Sequence, residues 1–177
     1  MAFTPQNADG TVDFANAYVD VAAVKTYWSD RGIDLSTKTD QELQVAIVQA
    51  TTYLDSRYTF VGYQLRKDQG TQWPRGGLPT SFLRGLPWAL QNATCQLAQR
   101  ALSGKPLMPD PTYDPSGQKV SESTKKVGPI EVSLKFAEAV PGSPGASTPS
   151  YPEVDLMLKS AGLVVTGGSG SGSLVRG

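Results

Sequence analysis

A chain of 177 residues is long enough for one real hydrophobic core with appendages. Its 39% hydrophobic content is lean for a globular protein, so part of the chain is expected to stay outside that core. Sixteen basic residues balance sixteen acidic ones, which argues against a uniformly basic nucleic-acid coat.

The charge balance hides a segregation. Residues 1–60 carry four basic against eight acidic side chains, residues 61–110 six against two, and residues 111–177 six of each. An acidic block beside a basic one suits a head-to-tail contact between identical subunits, and equally suits two solvated faces. The chain has no histidine, so the commonest general base, the commonest metal ligand and every Ser-His-Asp or Cys-His constellation are excluded. The single cysteine, Cys95, falls in an apolar helical pattern and reads as a small buried hydrophobe. No apolar run approaches a membrane span, and "MAFTPQNADG" lacks the pattern of a signal peptide, so a soluble, reducing compartment is expected.

In chain order, residues 1–16 are polar and rich in small residues, and read as a flexible N-terminal arm. A helical core is expected over 17–110. Its first helix carries Val21, Val24, Tyr27 and Trp28 at helical spacing and stops at Gly32. In the second, Thr39 and Glu42 have the spacing of a capping box, and Leu43, Ala46, Ile47, Ala50 and Leu54 form one apolar stripe that runs to about Tyr58. Residues 59–85 hold five glycines and two prolines, too long and too broken for a bare connector, with aromatics to pack it down. The third helix opens at Pro87, buries Leu90, Ala93, Thr94, Leu97, Ala98 and Ala101, and ends at Gly104. After a proline-rich turn region, the period changes to two, and Val120–Val127 and Ile130–Phe136 around Gly128-Pro129 predict a β-hairpin within 111–138. A Pro/Gly/Ser linker (139–152) leads to a short helix (153–162), for which Ser150 and Glu153 repeat the capping-box spacing. The last segment, 163–177, is a flexible Gly/Ser tail with an apolar-basic tip, Leu174-Val175-Arg176, suited to docking on a partner. The fold class expected is mainly α: a small helical bundle with a hairpin.

The motifs exclude more chemistry than they offer. There is no phosphate loop, the carboxylates are scattered, and Glu153 and Asp155 do not share a helix face. No cofactor, no metal site and no enzymatic activity are expected. The stretch "TQWPRGG" (71–77) has two readings. With Phe60, Tyr63, Arg66, Lys67 and Arg84, its Trp73 and Arg75 interleave aromatics with bases, as a single-strand groove requires. Alternatively Tyr53, Phe60 and Trp73 belong to the core, Pro74 fixes the turn, and Arg75 points outward as an interface anchor.

"AIVQATTYLDSRYTFVGY", "QWPRGG" and "LPWALQNATCQLAQRAL", in that order, resemble a family of phage head–tail connector (adaptor) proteins of long-tailed viruses, often labelled DnaT-like single-stranded-DNA-binding proteins. The positions that carry the resemblance include Tyr53, Asp55, Phe60, Gly62, Trp73, Pro74, Gly77 and Pro87, and it covers residues 15–104 best. The 139–150 linker and the length of the tail depart from the pattern. The resemblance implies a ring, commonly dodecameric, beneath the portal protein, offering a platform to a stopper or tail-completion protein while double-stranded DNA passes through its lumen. It places the protein in the virion neck after assembly in the bacterial cytoplasm. In such a ring Arg75, with Arg66, Lys67 and Arg84, is the candidate subunit contact, and Leu174, Val175 and Arg176 are candidates for docking on the portal. The label implies an alternative, a single-strand-binding replication accessory.

Overall fold

The computed structural model describes residues 2–78, 85–108, 122–127, 130–135 and 149–165. Four helices carry it: α1 (Val21–Ser29), α2 (Asp40–Arg57), α3 (Trp88–Leu102) and α4 (Pro152–Ser160). Two short ladders complete it, β1 (Tyr63–Gln64) with β2 (Arg75–Gly76), and the hairpin of β3 (Glu122–Val127) with β4 (Ile130–Lys135). The fold is mainly α, as the periodicity predicts.

The contacts divide the chain into one unit of residues 1–107 with 151–177 and another of residues 108–150. In the second, β3 and β4 pair antiparallel from Glu122 opposite Lys135 to Val127 opposite Ile130. The turn dipeptide Gly128-Pro129 lies outside the described residues, as do residues 109–121 and 136–148.

In the first unit, local chemistry starts each helix where the sequence places it. The Asp20 carboxylate accepts the Ala23 N–H at 2.7 Å and opens α1. At α2 the capping box closes in both directions: Thr39 accepts from the Glu42 N–H, and Glu42 accepts from the Thr39 N–H at 2.8 Å. Two orphan donors of the first turn are thereby satisfied. The α2 stripe of Leu43, Ala46, Ile47, Ala50 and Leu54 is buried against α3, whose Leu90, Ala93, Thr94, Leu97 and Ala98 form the facing surface. α1 adds Val24, Tyr27 and Trp28, and α4 adds Val154 and Leu158. Trp28 places its indole N–H on the Cys95 carbonyl at 3.0 Å, which meets the one polar demand of that ring in the core.

Two expectations change. At α4, Pro152 takes the first helical position and Tyr151 the cap, so Ser150 lies one residue too early and Glu153 is not at the third helical position. The capping box does not form there, because the preset φ of proline fixes the start of the helix one residue later than the Ser-Glu spacing assumes. The N-terminal segment, expected as a flexible arm, is instead fastened along the first unit. Gln6 N–H donates to Ala17 O at 2.8 Å, Asn16 N–H to Thr4 O at 2.9 Å, Phe14 N–H to Asp68 O at 2.7 Å, and Leu86 N–H to Ala8 O at 2.9 Å. Low hydrophobicity concealed this, because the segment is held through its backbone and through small buried residues, Ala15 and Ala17, rather than by a hydrophobic stripe.

Cys95 is buried, and burial pushes its thiol up to about 12. The folded protein is therefore expected not to react with a thiol-directed disulfide reagent at pH 8, and to react stoichiometrically once unfolded in denaturant. Fast labelling of the native state would show that the α1–α3 contact opens readily.

Candidate functional site

The segment between α2 and α3 is a built loop rather than a connector. β1 and β2 pair Tyr63 with Gly76 and Gln64 with Arg75. Between these strands Gln69, fully buried, acts as an internal template. Its amide donates to the Thr71 carbonyl at 2.8 Å and the Pro74 carbonyl at 3.0 Å, and its oxygen accepts the Arg66 N–H at 3.0 Å. Thr71, also buried, donates its hydroxyl to the Trp73 carbonyl at 2.7 Å. Every loop carbonyl turned inward in this way needs such a partner, since an unpaired one would cost about 1–3 kcal/mol.

Trp73 is fully buried, at 0% exposure, and packs edge-to-face on Phe60 with ring centroids 5.9 Å apart. The Trp73–Pro74 peptide bond is cis. Phe60 in turn bridges to Val164, and the flanking Val61 and Val165 N–H groups donate to Leu163 and Thr59 carbonyls, which ties the loop to the chain after α4. Gly62 has a φ of +75°, and a Cβ there would sit 2.1 Å from the Gly76 carbonyl oxygen, so only glycine fits this corner of the ladder. Gly77 lies against the Tyr63 ring. Tyr53 is buried in α2, and Pro87 caps α3, one residue before the first turn, its carbonyl accepting from Leu90 and Gln91.

A polar clamp joins this loop to the bundle. Asp55 on α2 accepts the Tyr18 hydroxyl on one carboxylate oxygen and the Gln72 N–H, at 3.1 Å, on the other. The Tyr18 oxygen accepts the Trp73 N–H at 3.3 Å. Burial raises the Asp55 carboxyl from 3.8 to about 6, against the opposing pull of those two donors and the Arg75 charge. The Tyr18 hydroxyl is raised as well, first by burial and then by the carboxylate beside it. Asp55, Gln72 and Trp73 of this clamp fall in the motif stretches; Tyr18 does not. It lies 37 residues from Asp55 in the fastened N-terminal segment, with no local signal to announce it.

Arg75 differs most from expectation. Its guanidinium turns inward along the loop, donating to Val61 O and Gly62 O at 2.7 Å each, and to Gln72 O and Oε1 at 3.2 and 2.9 Å. The planar fork, which suits a partner's carboxylate, here ties strand ends together, because three unpaired carbonyls converge on it. Arg66 is also engaged, 2.6 Å from the Asp13 carboxylate and 3.1 Å from Gly10 O. Part of the charge segregation between the acidic and basic blocks is thus answered within one chain, while Lys25 pairs with Asp40 inside the acidic block. Lys67 is exposed. Arg84 and the tip residues Leu174, Val175 and Arg176 lie outside the described residues. Among the described residues no three His, Cys, Asp or Glu side chains gather as a metal site, and no helix is long and apolar enough to cross a membrane.

A second cluster, absent from the sequence reading, lies where the ends of α2 and α3 meet the start of α4. Tyr53 contacts Tyr58 and Tyr151, with centroids 6.3 and 5.2 Å away. Arg57 stands 5.9 Å over the Tyr58 ring, and Arg100 stands 4.7 Å over Tyr151. The Tyr58 hydroxyl donates to Asp155. The three sequence segments are far apart, and no spacing within any one of them marks the cluster.

No curated protein and no solved structure matches the chain. One family does, and its match takes in the Trp73 loop, the clamp and the hairpin alike. The chain belongs, over residues 1–177, to the family described as "Putative DnaT-like ssDNA binding protein".

Proposed function

We propose that this protein is a structural subunit of the phage head–tail connector type, acting by assembly rather than by catalysis. It forms a ring of identical copies beneath the portal protein in the virion neck, receives a stopper or tail-completion protein, and lets double-stranded DNA through its lumen. The observation that carries this reading is the state of the "TQWPRGG" loop. Its tryptophan is buried and its arginine is committed to backbone carbonyls, so neither Trp73 nor Arg75 is presented to a single strand. Large apolar side chains stand outside the core instead: Trp88 is 80% exposed, Phe14 72% and Leu156 68%. Trp88 also walls a shallow groove with Val19, Ala23 and Tyr27 between α1 and α3. Exposed aromatics beside a groove are typical anchors of protein–protein contacts. Arg75 then serves the ring indirectly, by holding the loop's shape, and the Leu174–Arg176 tip remains the segment suited to the portal.

The family description favours a second reading, a single-strand-binding protein of replication. Copy number separates the two. Quantitative mass spectrometry of purified phage particles is expected to find this protein at close to one copy per portal subunit. Absence from particles, with abundance in infected cells, would overturn the connector reading in favour of the replication role.

A further inference from the structure

The geometry points to the Tyr–Arg cluster at the ends of α2 and α3, with Lys105 beside it in sequence, as a binding surface for the phosphate backbone of single-stranded DNA. This inference rests on the second of the two readings above, single-strand binding, and not on the connector reading. It moves the contact away from the Trp73 loop, whose aromatic and arginine are both engaged within the fold.

Arg57, Arg100 and Lys105 are exposed, and none of them forms an ion pair among the described residues. They differ in this from Lys25 and Arg66, which are paired with Asp40 and Asp13. Each arginine has an aromatic neighbour: Arg100 lies over the half-buried Tyr151, and Arg57 lies beside Tyr58. A guanidinium laid on a ring keeps its N–H edge directed outward with little rotamer freedom left to lose, which suits bidentate capture of a phosphate. Its outer face is a planar cationic platform on which an unpaired base stacks. The rings are anchored in turn, since Tyr151 donates to the Leu107 carbonyl at 3.3 Å and Tyr58 to Asp155. Asp155 and the exposed Glu153 supply the opposing negative charge at this face, which limits it to a few phosphate contacts.

The test is fluorescence anisotropy of the full chain with a labelled oligothymidylate of about 30 nucleotides, longer than one stacking groove covers, and with a duplex of equal length. Arg57→Gln/Arg100→Gln is expected to weaken single-strand binding at least about tenfold and to flatten its salt slope by about 1.4, two phosphate contacts at 0.7 each. Lys105→Glu is expected to weaken it independently, while Lys67→Gln on the loop stays near wild type. All four side chains are exposed, so circular dichroism is expected to be unchanged. Wild-type affinity in the double variant would overturn the assignment of this surface and leave single-strand binding standing. No binding by the unaltered chain would overturn both, and duplex held as tightly as single strand would overturn the single-strand assignment.

Discussion

Trp73→Ala is expected to lower the unfolding free energy by roughly 3–5 kcal/mol, the loss seen when a large buried aromatic is truncated in a well-packed core. Against a typical total of about 5–15 kcal/mol, that is enough to leave a substantial unfolded fraction on mild heating. The size of the effect follows from position. The indole has no exposed surface and meets Phe60 edge-on, and its backbone N–H is one of the links from the loop to Tyr18. The cavity would open where the loop, α2 and the N-terminal segment converge, and fixed backbone hydrogen bonds around Gln69 and Arg75 hinder its collapse.

The same residue holds a second, opposite effect. The indole Nε1–H is buried and has no hydrogen-bond partner among the described residues. An unsatisfied buried donor costs about 1–3 kcal/mol, so deleting it offsets part of the ring volume lost. Trp73→Phe deletes the same N–H but keeps an aromatic ring against Phe60, and is expected to be much milder than Trp73→Ala. Urea unfolding followed by far-ultraviolet circular dichroism, with unchanged dependence on denaturant, measures both. Equal losses for the two variants would mean that a phenyl ring does not fill the space the indole leaves.

How far the sequence revealed this structure depended on the range of the interaction. Helix α2 was legible almost to the residue, because its capping box and its Leu43–Leu54 stripe are local signals. The hairpin was legible from the change of period to two between Ile130 and Leu134. Burial of Trp73 was one of the two readings that its place beside Pro74 among other aromatics allowed. The fate of Arg75 was not legible, because it depends on where the Val61 and Gly62 carbonyls fall once β1 and β2 pair, and a two-residue ladder leaves no periodicity to read. The N-terminal segment was misjudged for a related reason: backbone pairing and side-chain amides such as Gln6 hold it, and neither raises hydrophobicity. The Tyr–Arg cluster draws on the ends of three helices, and only tertiary packing assembles it.

Asp55 sets the second large effect, a stability that rises as the medium becomes mildly acidic. In the folded chain its carboxyl titrates at about 6, against 3.8 for an ordinary aspartate, so the folded state holds the proton more tightly than the unfolded state does. The associated stabilisation is complete below pH 4 or so and is lost as pH rises through about 6. A gap of about 2 pH units corresponds to about 3 kcal/mol between the two limits. The opposite trend comes from Glu42 and Asp34, whose carboxyls are held low by the Thr39 and Ser36 hydrogen bonds, and whose contribution disappears only as pH falls further. Unfolding free energies measured from pH 8 down to pH 5 are therefore expected to increase for the native chain. Asp55→Asn removes the titrating group while keeping its shape. Its amide oxygen still accepts the Gln72 N–H, but its nitrogen cannot accept the Tyr18 hydroxyl, so its absolute stability at any one pH is a poor readout. The slope is the decisive one: the increase between pH 8 and pH 5 is expected to vanish in Asp55→Asn. A parallel rise in both proteins would place the titrating group elsewhere and make the clamp a solvated contact.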